Sequence, residues 1–423
     1  MEQFIGVFGI LFIIGVAALL SENKRKIPVK TILFGLLLQV IIGLIVIKLP
    51  IGKQFFGLLE KGVNVLLLST SAGSQFVFGQ LLDVFSFALK ILPTVIFFSS
   101  FFTVLYYFGI LQAVVKLFAI MLRRIFGTSG AESLSAAANV MMGQTEAPLM
   151  VKPYVERMTH SELMCVMTGG MATVAGGVLA AYVSMGVSAG HLIAASVMNA
   201  PAAIILSKTM VPETGSPITS DLKHISVEIT DQNPLEAASR GASEGLMLAL
   251  NVAAMLLCFI AFIFFFNYIL KLVFGISLED ILGFVFKPVA YLMGVPGQDA
   301  GAVGTMLGER MAINEFVAYP HLAQHIRATA FDNVLQNTVH NIPLLSSFIK
   351  PGVAVISERA IIITTYALCG FANFSSIAIQ IGGIGSMAPS RRGEIAALGL
   401  KAMIAGTLAT FLTATIAGLI LAF

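Results

Sequence analysis

The sequence predicts an all-α protein that crosses a lipid bilayer several times. Only 11% of its 423 residues are charged and 57% are hydrophobic, whereas a soluble protein of this length carries about 25% charged residues. Mean hydropathy is +0.92. A chain so poor in charge cannot cover a globule with solvated side chains, so lipid must surround much of it. The net charge of +3 includes no basic stripe, which argues against a nucleic-acid partner.

Apolar runs long enough to cross the hydrocarbon layer at about 1.5 Å per residue predict about eight transmembrane helices. They lie near residues 4–20, 28–49, 86–108, 163–186, 190–208, 243–271, 355–380 and 396–422. The first run precedes its basic residues and has no clear small-residue cleavage site. We therefore interpret it as a retained span and not as a signal peptide.

Three basic clusters predict the orientation of these spans by the positive-inside rule. One follows the first span, one follows the third, and one lies between the last two. They are Lys24, Arg25, Lys26 and Lys30, then Arg123 and Arg124, then Arg391 and Arg392. Eight spans that start outside place all three clusters in the cytoplasm, and both termini then lie outside.

Three other segments do not fit a simple span. Residues 51–83 mix apolar residues with charges, which predicts interfacial helices. Residues 210–240 are the most polar stretch and predict a cytoplasmic connection. Residues 320–354 predict an exposed insertion. This insertion contains His321 and His325, but no third ligand is close in the sequence, which favours a solvated segment over a metal site.

Two Gly/Ala-rich segments are interrupted by polar residues near their middle. They are residues 129–158 and 297–320, and neither makes a clean span. Each predicts a re-entrant hairpin, in which two half-helices meet at a non-helical tip. Such backbone is tolerated at membrane depth only where it is buried in protein or lines a wet cavity.

The two segments belong to an internal repeat. GQTEAP in the first is followed by GGMATVAGG at 169–177, and INEFVAYP in the second is followed by CGFANFSSI at 369–377. Both following elements are small-residue helices with a central polar group, Thr173 or Asn373. Interrupted segments at corresponding places in two halves are typical of a transporter's binding site.

Glu146 and Glu315 are the candidate ligand-binding residues of the two hairpins. Ionisable groups at membrane depth cost at least ~2.5–3.5 kcal/mol each on insertion scales, and they mark substrate or ion paths. No Arg or Lys lies in the short motifs around them. This argues against an anionic substrate and favours a cationic co-ligand, Na⁺ or H⁺.

Neighbouring polar groups favour a neutral, polar solute. Gln144 and Thr145 precede Glu146, and Asn373 and Ser376 are three residues apart, so they share one helical face. Amides and hydroxyls at both sites would bind two ends of one small molecule.

The strings GQTEAPL, GGMATVAGGVLAAYVSMG, EGLMLALNVAAML, NEFVAY and CGFANFSSIAIQIGGIG resemble the concentrative nucleoside transporter family in its short bacterial form. The resemblance extends to SQFVFG at 74–79 and covers nearly the whole chain. It implies a nucleoside symporter and not an enzyme, with no organic cofactor. It also implies a homotrimer in the bacterial cytoplasmic (inner) membrane, with inverted repeats and an elevator motion of a transport domain against a scaffold.

The resemblance divides the chain into five parts. Scaffold helices and an interfacial helix occupy 1–128, and the first hairpin with its broken helix occupies 129–209. The cytoplasmic connection is 210–240. A scaffold helix and an interfacial helix follow at 241–296, and the second hairpin, broken helix and last span lie at 297–423.

The resemblance also implies which residues contact the nucleoside. The first hairpin and the following helix would contact the nucleobase, and the second hairpin and the seventh span would contact the ribose. The nucleobase set is Gly143, Gln144, Thr145, Glu146 and Val178. The ribose set is Glu315, Phe371, Asn373 and Ser376.

A sodium site is implied between the first hairpin tip and the fourth span. Its ligands would be Asn139, Thr173 and the backbone carbonyls of Met142 and Val174.

Two alternative functions stay open at this point. Glu146 or Glu315 would cycle a proton in a proton-coupled symporter, or the pair would act as acid and base in a membrane-embedded enzyme. Gly143 leaves a roomy base pocket, which favours both purine and pyrimidine nucleosides.

Overall fold

The computed structural model describes residues 4–84, 86–219, 231–337 and 354–422. Within these ranges the chain forms α-helices and short 3₁₀ turns without a strand, so the predicted all-α class is confirmed. The helices of the first part are α1 (Ile5–Leu19), α2 (Val29–Ile47), α3 (Pro50–Phe78), α4 (Leu81–Val84), α5 (Ser86–Tyr107) and α6 (Ile110–Phe126).

The remaining helices form two similar series separated by a pair of helices. The first series is α7 (Gly130–Ala138), α8 (Lys152–Val155), α9 (His160–Ala172), α10 (Gly176–Ser184) and α11 (Ala189–Met210). The separating pair is α12 (Pro234–Phe274) and α13 (Leu278–Leu292). The second series is α14 (Ala300–Ala312), α15 (Glu315–Asn337), α16 (Glu358–Leu368), α17 (Phe374–Met387) and α18 (Arg392–Leu421).

Six of the eight predicted apolar runs coincide with one helix each, and the other two, 163–186 and 355–380, are each divided into two helices by a break. Six stretches of the described chain are long and apolar enough to span a membrane: Val29–Ile47, Leu89–Tyr107, His160–Ser184, Ala189–Met210, Pro234–Phe274 and Pro389–Leu421. Ile5–Leu19 and Phe374–Met387 are apolar but shorter. The helical nature of the runs is confirmed, and the number that cross the bilayer stays a prediction.

The three basic clusters lie at one end of the helix bundle, which we call the basic end. The backbone of Glu22 donates to Met210 O (2.9 Å), and the backbone of Gly130, just after α6, donates to Thr219 O (2.7 Å). Arg391 donates to Val155 O (3.0 Å) at the same end. The shared location agrees with the positive-inside argument, and the face of the membrane on which this end lies stays a prediction.

The two series are inverted relative to each other. The first hairpin, α7 to α8, has its base at the basic end. The second hairpin, α14 to α15, has its base at the opposite end, where Asp299 accepts a hydrogen bond from Ser357 Oγ (2.6 Å) and Arg327 donates to Met185 O (3.2 Å). Each hairpin is followed by a broken helix and a long one, as the repeat predicts.

The core lies where the long helices of the two series, α11 and α18, pack together. Both are buried over most of their length. α12, in contrast, exposes large apolar side chains such as Phe264 (77% exposed) over most of its surface. An apolar outer helix around a buried pair is the arrangement expected when lipid is the surroundings.

Residues 51–83 form the helices α3 and α4, so their predicted helical character is confirmed, and their position at the interface stays a prediction. Four other sequence predictions need correction. The amphipathic helix α6 was not predicted, although its buried residues recur at helical spacing. α12 begins at Pro234, well before the predicted 243, because Asn233 caps it and Glu236 follows in its first turn.

The predicted exposed insertion at 320–354 is wrong in its first half. α15 continues to Asn337 as an arm of the second hairpin, and Leu322 is fully buried there. His321 is partly solvated, with its side chain 44% exposed, and its Nδ1 lies 2.8 Å from a carboxylate oxygen of Glu309 on α14. The second half of the insertion, with His340, lies outside the described residues.

The connection at 210–240 is likewise less exposed than predicted in its first part. Val211 is buried, and so is Thr219, whose Oγ1 accepts a hydrogen bond from the backbone of Ala131 (3.1 Å). The segment therefore packs on the base of the first hairpin. Residues 220–230 lie outside the described residues.

Candidate functional site

The tip of the first hairpin leaves helical geometry over residues 139–146. α7 starts with a capping box between Ser129 and Glu132 and stops at Ala138. Glu146 folds back so that its carboxylate accepts a hydrogen bond from the backbone N–H of Gly143. A Cβ on Gly143 would meet that carboxylate, so a larger residue there would force the Glu146 side chain to move.

Two helix breaks face each other beneath this tip. α9 ends at Ala172 and α10 starts at Gly176, while α16 ends at Leu368 and α17 starts at Phe374. The backbone N–H of Phe371 donates to Thr173 O (3.3 Å), so the breaks are directly joined. The non-helical backbone is buried in protein, which is the condition for its survival at membrane depth.

A buried polar cluster connects the second hairpin to the second break. Asn373 caps α17 by accepting from the backbone N–H of Ser376 (3.0 Å), and its Nδ2 donates to Glu315 Oε2 (2.8 Å). Glu315 is the first residue of α15, where the positive end of the helix dipole favours a negative charge.

The first hairpin reaches the same cluster through Gln144. Its Nε2 donates to Ser376 Oγ (3.1 Å). Its Oε1 is buried and has no hydrogen-bond partner among the described residues. Buried polar atoms are usually paired, so this acceptor is available to a donor of a ligand or of a water molecule.

An oxygen suited to a cation lies at the other side of the hairpin tip. Asn139 is fully buried, and its Nδ2 donates to Ser135 O (2.9 Å), while its Oδ1 has no described partner. Thr173 Oγ1 donates to Gly169 O (2.9 Å) and keeps its lone pairs for a ligand. The carbonyls of Met142 and Val174 belong to non-helical backbone beside them.

These groups fit a sodium ion by their chemistry. Hard cations take oxygen ligands, and every candidate here is an amide, hydroxyl or carbonyl oxygen. The C-terminal end of α9 adds the negative end of a helix dipole.

The remaining predicted residues flank the polar cluster. Val178 lies buried in α10, and Phe371 lies buried at the second break. Thr145 packs on α17, where a Cβ on Gly383 would lie 2.8 Å from the Thr145 methyl carbon. The side chain of Glu146 is exposed and accepts a hydrogen bond from its own loop, so it does not join the polar cluster. Contacts of these four residues with a ligand stay predictions.

Arg310 is a buried charge that the sequence argument overlooked. Its Nε donates to Gly370 O at the second break (3.2 Å), and its Nη1 donates to Thr410 Oγ1 on α18 (3.0 Å). It interacts electrostatically with Glu315. Glu315 therefore has a positive charge in its surroundings that lies outside its own short motif. An arginine in a Gly/Ala-rich hairpin was the available signal.

Paired hairpins and broken helices that gather polar groups at one buried place define a secondary transporter. The family model for the Na⁺ dependent nucleoside transporter N-terminus matches residues 8–81, and that for its C-terminus matches residues 191–418. A nucleoside recognition model matches residues 88–189. The chain belongs to the Na⁺ dependent nucleoside transporter family, which confirms the resemblance read from its motifs.

Individual relatives agree with this assignment. An uncharacterized transporter of Haemophilus influenzae is 44% identical over 98% of this chain and 96% of its own length. Solute carrier family 28 member 3 of Homo sapiens is 39% identical over 99% of this chain and 60% of its own length.

Solved structures show the same fold. CNTnw in an inward-facing substrate-bound state is 40% identical, with a TM-score of 0.89, covering 100% of this chain and 99% of that one. The relatives and structural neighbours are transporters, so the membrane-enzyme alternative is set aside.

Proposed function

We propose that this chain imports nucleosides, both purine and pyrimidine, by symport with sodium ions across a bacterial cytoplasmic membrane. One observation supports this most directly. Gln144, Glu315 and Asn373 converge from three separate elements on one buried cluster. The unpaired Oδ1 of Asn139 lies on the same hairpin tip as Gln144.

The cluster suits the two halves of a nucleoside. The 2′ and 3′ hydroxyls of ribose are donors, and the Glu315 carboxylate is a strong acceptor for them. The unpaired Oε1 of Gln144 would accept from the edge of the base. The flanking nucleobase contacts are proposed to come from Gly143, Thr145, Glu146 and Val178, and the flanking ribose contacts from Phe371, Asn373 and Ser376.

Sodium would bind at Asn139 Oδ1, the Thr173 hydroxyl and the carbonyls of Met142 and Val174. One Na⁺ moving inward down about 100 mV provides ~2.3 kcal/mol. That corresponds to about 50-fold accumulation of the nucleoside, and a chemical sodium gradient adds to it. No organic cofactor is included in the proposal.

We propose further that the protein works as a homotrimer, with its termini outside. Each protomer would move a transport domain, residues 129–209 and 297–423, against a scaffold formed by 1–128 and 241–296. Native mass spectrometry of the detergent-solubilised protein tests the trimer, and a stable monomer would contradict it.

Labelled uridine uptake into proteoliposomes tests the function. An inward sodium gradient is compared with choline replacement at fixed pH. We expect uptake that requires sodium and is inhibited by unlabelled adenosine as well as cytidine. Uptake indifferent to sodium but abolished by a protonophore would replace sodium by protons. Failure of adenosine to compete would remove the purine part of the proposal.

A further inference from the structure

Asn199 connects the two helix breaks from a third helix. It lies in the middle of α11 and is fully buried. Its Nδ2 donates to the carbonyl oxygen of Ala172 (2.8 Å) and to that of Cys369 (2.6 Å). An asparagine amide has two N–H donors, so this one side chain uses one on each break.

Both acceptors are carbonyls at the ends of half-helices. Ala172 is the last residue of α9, and Cys369 follows Leu368, the last residue of α16. The final carbonyls of a helix have no partner within it, and leaving such a group unpaired in the interior is costly. Asn199 therefore caps both half-helices at once.

The two capped residues lie beside the two proposed ligand sites. Ala172 precedes Thr173 of the sodium site, and Cys369 lies four residues before Asn373 of the nucleoside site. The direct hydrogen bond between the breaks, from Phe371 N to Thr173 O, is 3.3 Å long. This is longer than the usual range of about 2.7–3.2 Å for N–H···O bonds. The shorter bonds of Asn199 are the stronger connection.

We propose that Asn199 is the positioning residue through which sodium at the first break raises nucleoside affinity at the second. The inference rests on the proposed sodium-coupled function. Asn199 is in this view a connection between ligand sites and not a ligand of either one. Because coupling between two binding sites is reciprocal, nucleoside would raise sodium affinity by the same factor.

Calorimetric titration of purified protein with uridine, in saturating sodium chloride and in choline chloride, tests this role. The ratio of the two Kd values is the coupling factor, which we expect to be about fivefold or more in the unmodified protein. Asn199→Ala removes both caps and is expected to bring the factor close to one, while affinity in choline stays near that of the unmodified protein. Asn199→Ser keeps one donor and is expected to give an intermediate factor.

Ser196→Ala is the matched control. Ser196 lies on the same helix, is buried, and its Oγ has no hydrogen-bond partner in the part of the chain that the structure describes. Its removal should leave the coupling factor unchanged. Two results would show that the cap is only structural and that the inference fails. In one, Asn199→Ala lowers the melting temperature but keeps the coupling factor; in the other, it weakens uridine binding equally in both salts.

Two further outcomes are separable. If Asn199→Ala does not fold, the coupling factor of Asn199→Ser is the test. A coupling factor in Asn199→Ser equal to that of the unmodified protein overturns the inference. A factor of one in the unmodified protein overturns sodium coupling itself, and the inference with it. That result is distinct from a failure confined to Asn199.

Discussion

Asn373 donates a 2.8 Å hydrogen bond to Glu315 across the gap between the second broken helix and the second hairpin. The two residues are 58 positions apart in the chain. The orientation of the Asn373 amide is fixed, since its Oδ1 accepts the capping N–H of Ser376. Its Nδ2 therefore faces the carboxylate, and Glu315 is held in place by a residue that also starts α17.

Glu315→Gln is expected to weaken nucleoside binding while the fold is kept. The amide keeps the shape of the carboxylate but loses the charge that strengthens its hydrogen bonds to hydroxyl donors. Hydrogen bonds to charged groups are worth about 1.5–3 kcal/mol, so we expect the Kd for uridine to rise by about 10- to 100-fold. Uridine titration of the purified protein measures it.

The control for this change is Glu156→Gln. Glu156 is an exposed carboxylate that accepts a hydrogen bond from Ser390 Oγ (2.8 Å), outside the polar cluster. The Glu156→Gln variant should bind uridine with the affinity of the unmodified protein. Equal affinity in Glu315→Gln and the unmodified protein would remove Glu315 from the nucleoside site.

Asn139→Leu is expected to abolish the sodium dependence of uptake. Leucine has about the size of asparagine but no oxygen, so the buried acceptor is lost. Gly169→Ala should act in the same direction although Asn139 itself is unchanged, because the new Cβ would lie 2.9 Å from Asn139 Nδ2 and displace that side chain. Half-saturating sodium concentrations for uridine uptake measure both effects.

Thr168→Val is the control for the sodium prediction. Thr168 is buried in α9 beside Gly169, and its hydroxyl donates only within its own helix, to Met164 O (2.8 Å). The valine variant should need no more sodium than the unmodified protein. Asn139→Leu with an unchanged sodium requirement would place the cation elsewhere.

The elements that the sequence predicts well are those fixed by local pattern. Long apolar runs become helices because a helix pairs every backbone group within its own segment, as lipid requires. The interruptions at Glu146 and Glu315 mark hairpin tips because polar residues break otherwise small-residue helices. The order of hairpin, broken helix and long helix followed from the repeat, and the structure shows it.

The contacts that the sequence does not predict depend on tertiary packing. Asn199 lies in an ordinary apolar run, and nothing local shows that it bridges Ala172 and Cys369. Nothing local shows either that the turn at Gly143 directs the Glu146 carboxylate back onto its own loop. α6 was missed because Arg123 and Arg124 were interpreted as loop residues after a span, whereas they lie in its last turn.

Lys208→Met is expected to destabilise the protein strongly. Lys208, at the end of α11, forms a buried ion pair with Glu132 at the base of the first hairpin and donates to Ser161 Oγ (2.9 Å). Removing one partner of a buried pair leaves an uncompensated charge, at a cost of about 3–5 kcal/mol. Thermal unfolding in detergent measures the loss.

Lys116→Met on the exposed side of α6 is the control for Lys208→Met, because it removes the same charge from the surface. Its melting temperature should stay close to that of the unmodified protein. Equal melting temperatures for the two variants would show that the pair with Glu132 contributes nothing to stability.

The stability of the protein is expected to fall in acid partly through Glu213, which follows α11 at the basic end. Partial burial raises the pKa of this carboxyl, but hydrogen bonds from Gly215 N (2.9 Å) and Thr159 Oγ1 (2.8 Å) and the charge of Lys208 outweigh it. They hold the pKa below its ordinary value of 4.5. A lowered pKa means that the unfolded chain binds the proton more readily. The stabilisation from Glu213 is therefore complete above the ordinary pKa and is lost as pH falls through the lowered one.

Melting temperatures between pH 7 and pH 3, in roughly half-unit steps across this window, should therefore drop less steeply in Glu213→Gln than in the unmodified protein. The exposed Glu156→Gln should follow the unmodified curve, and parallel curves for all three proteins would show that the contacts of Glu213 do not contribute to acid sensitivity.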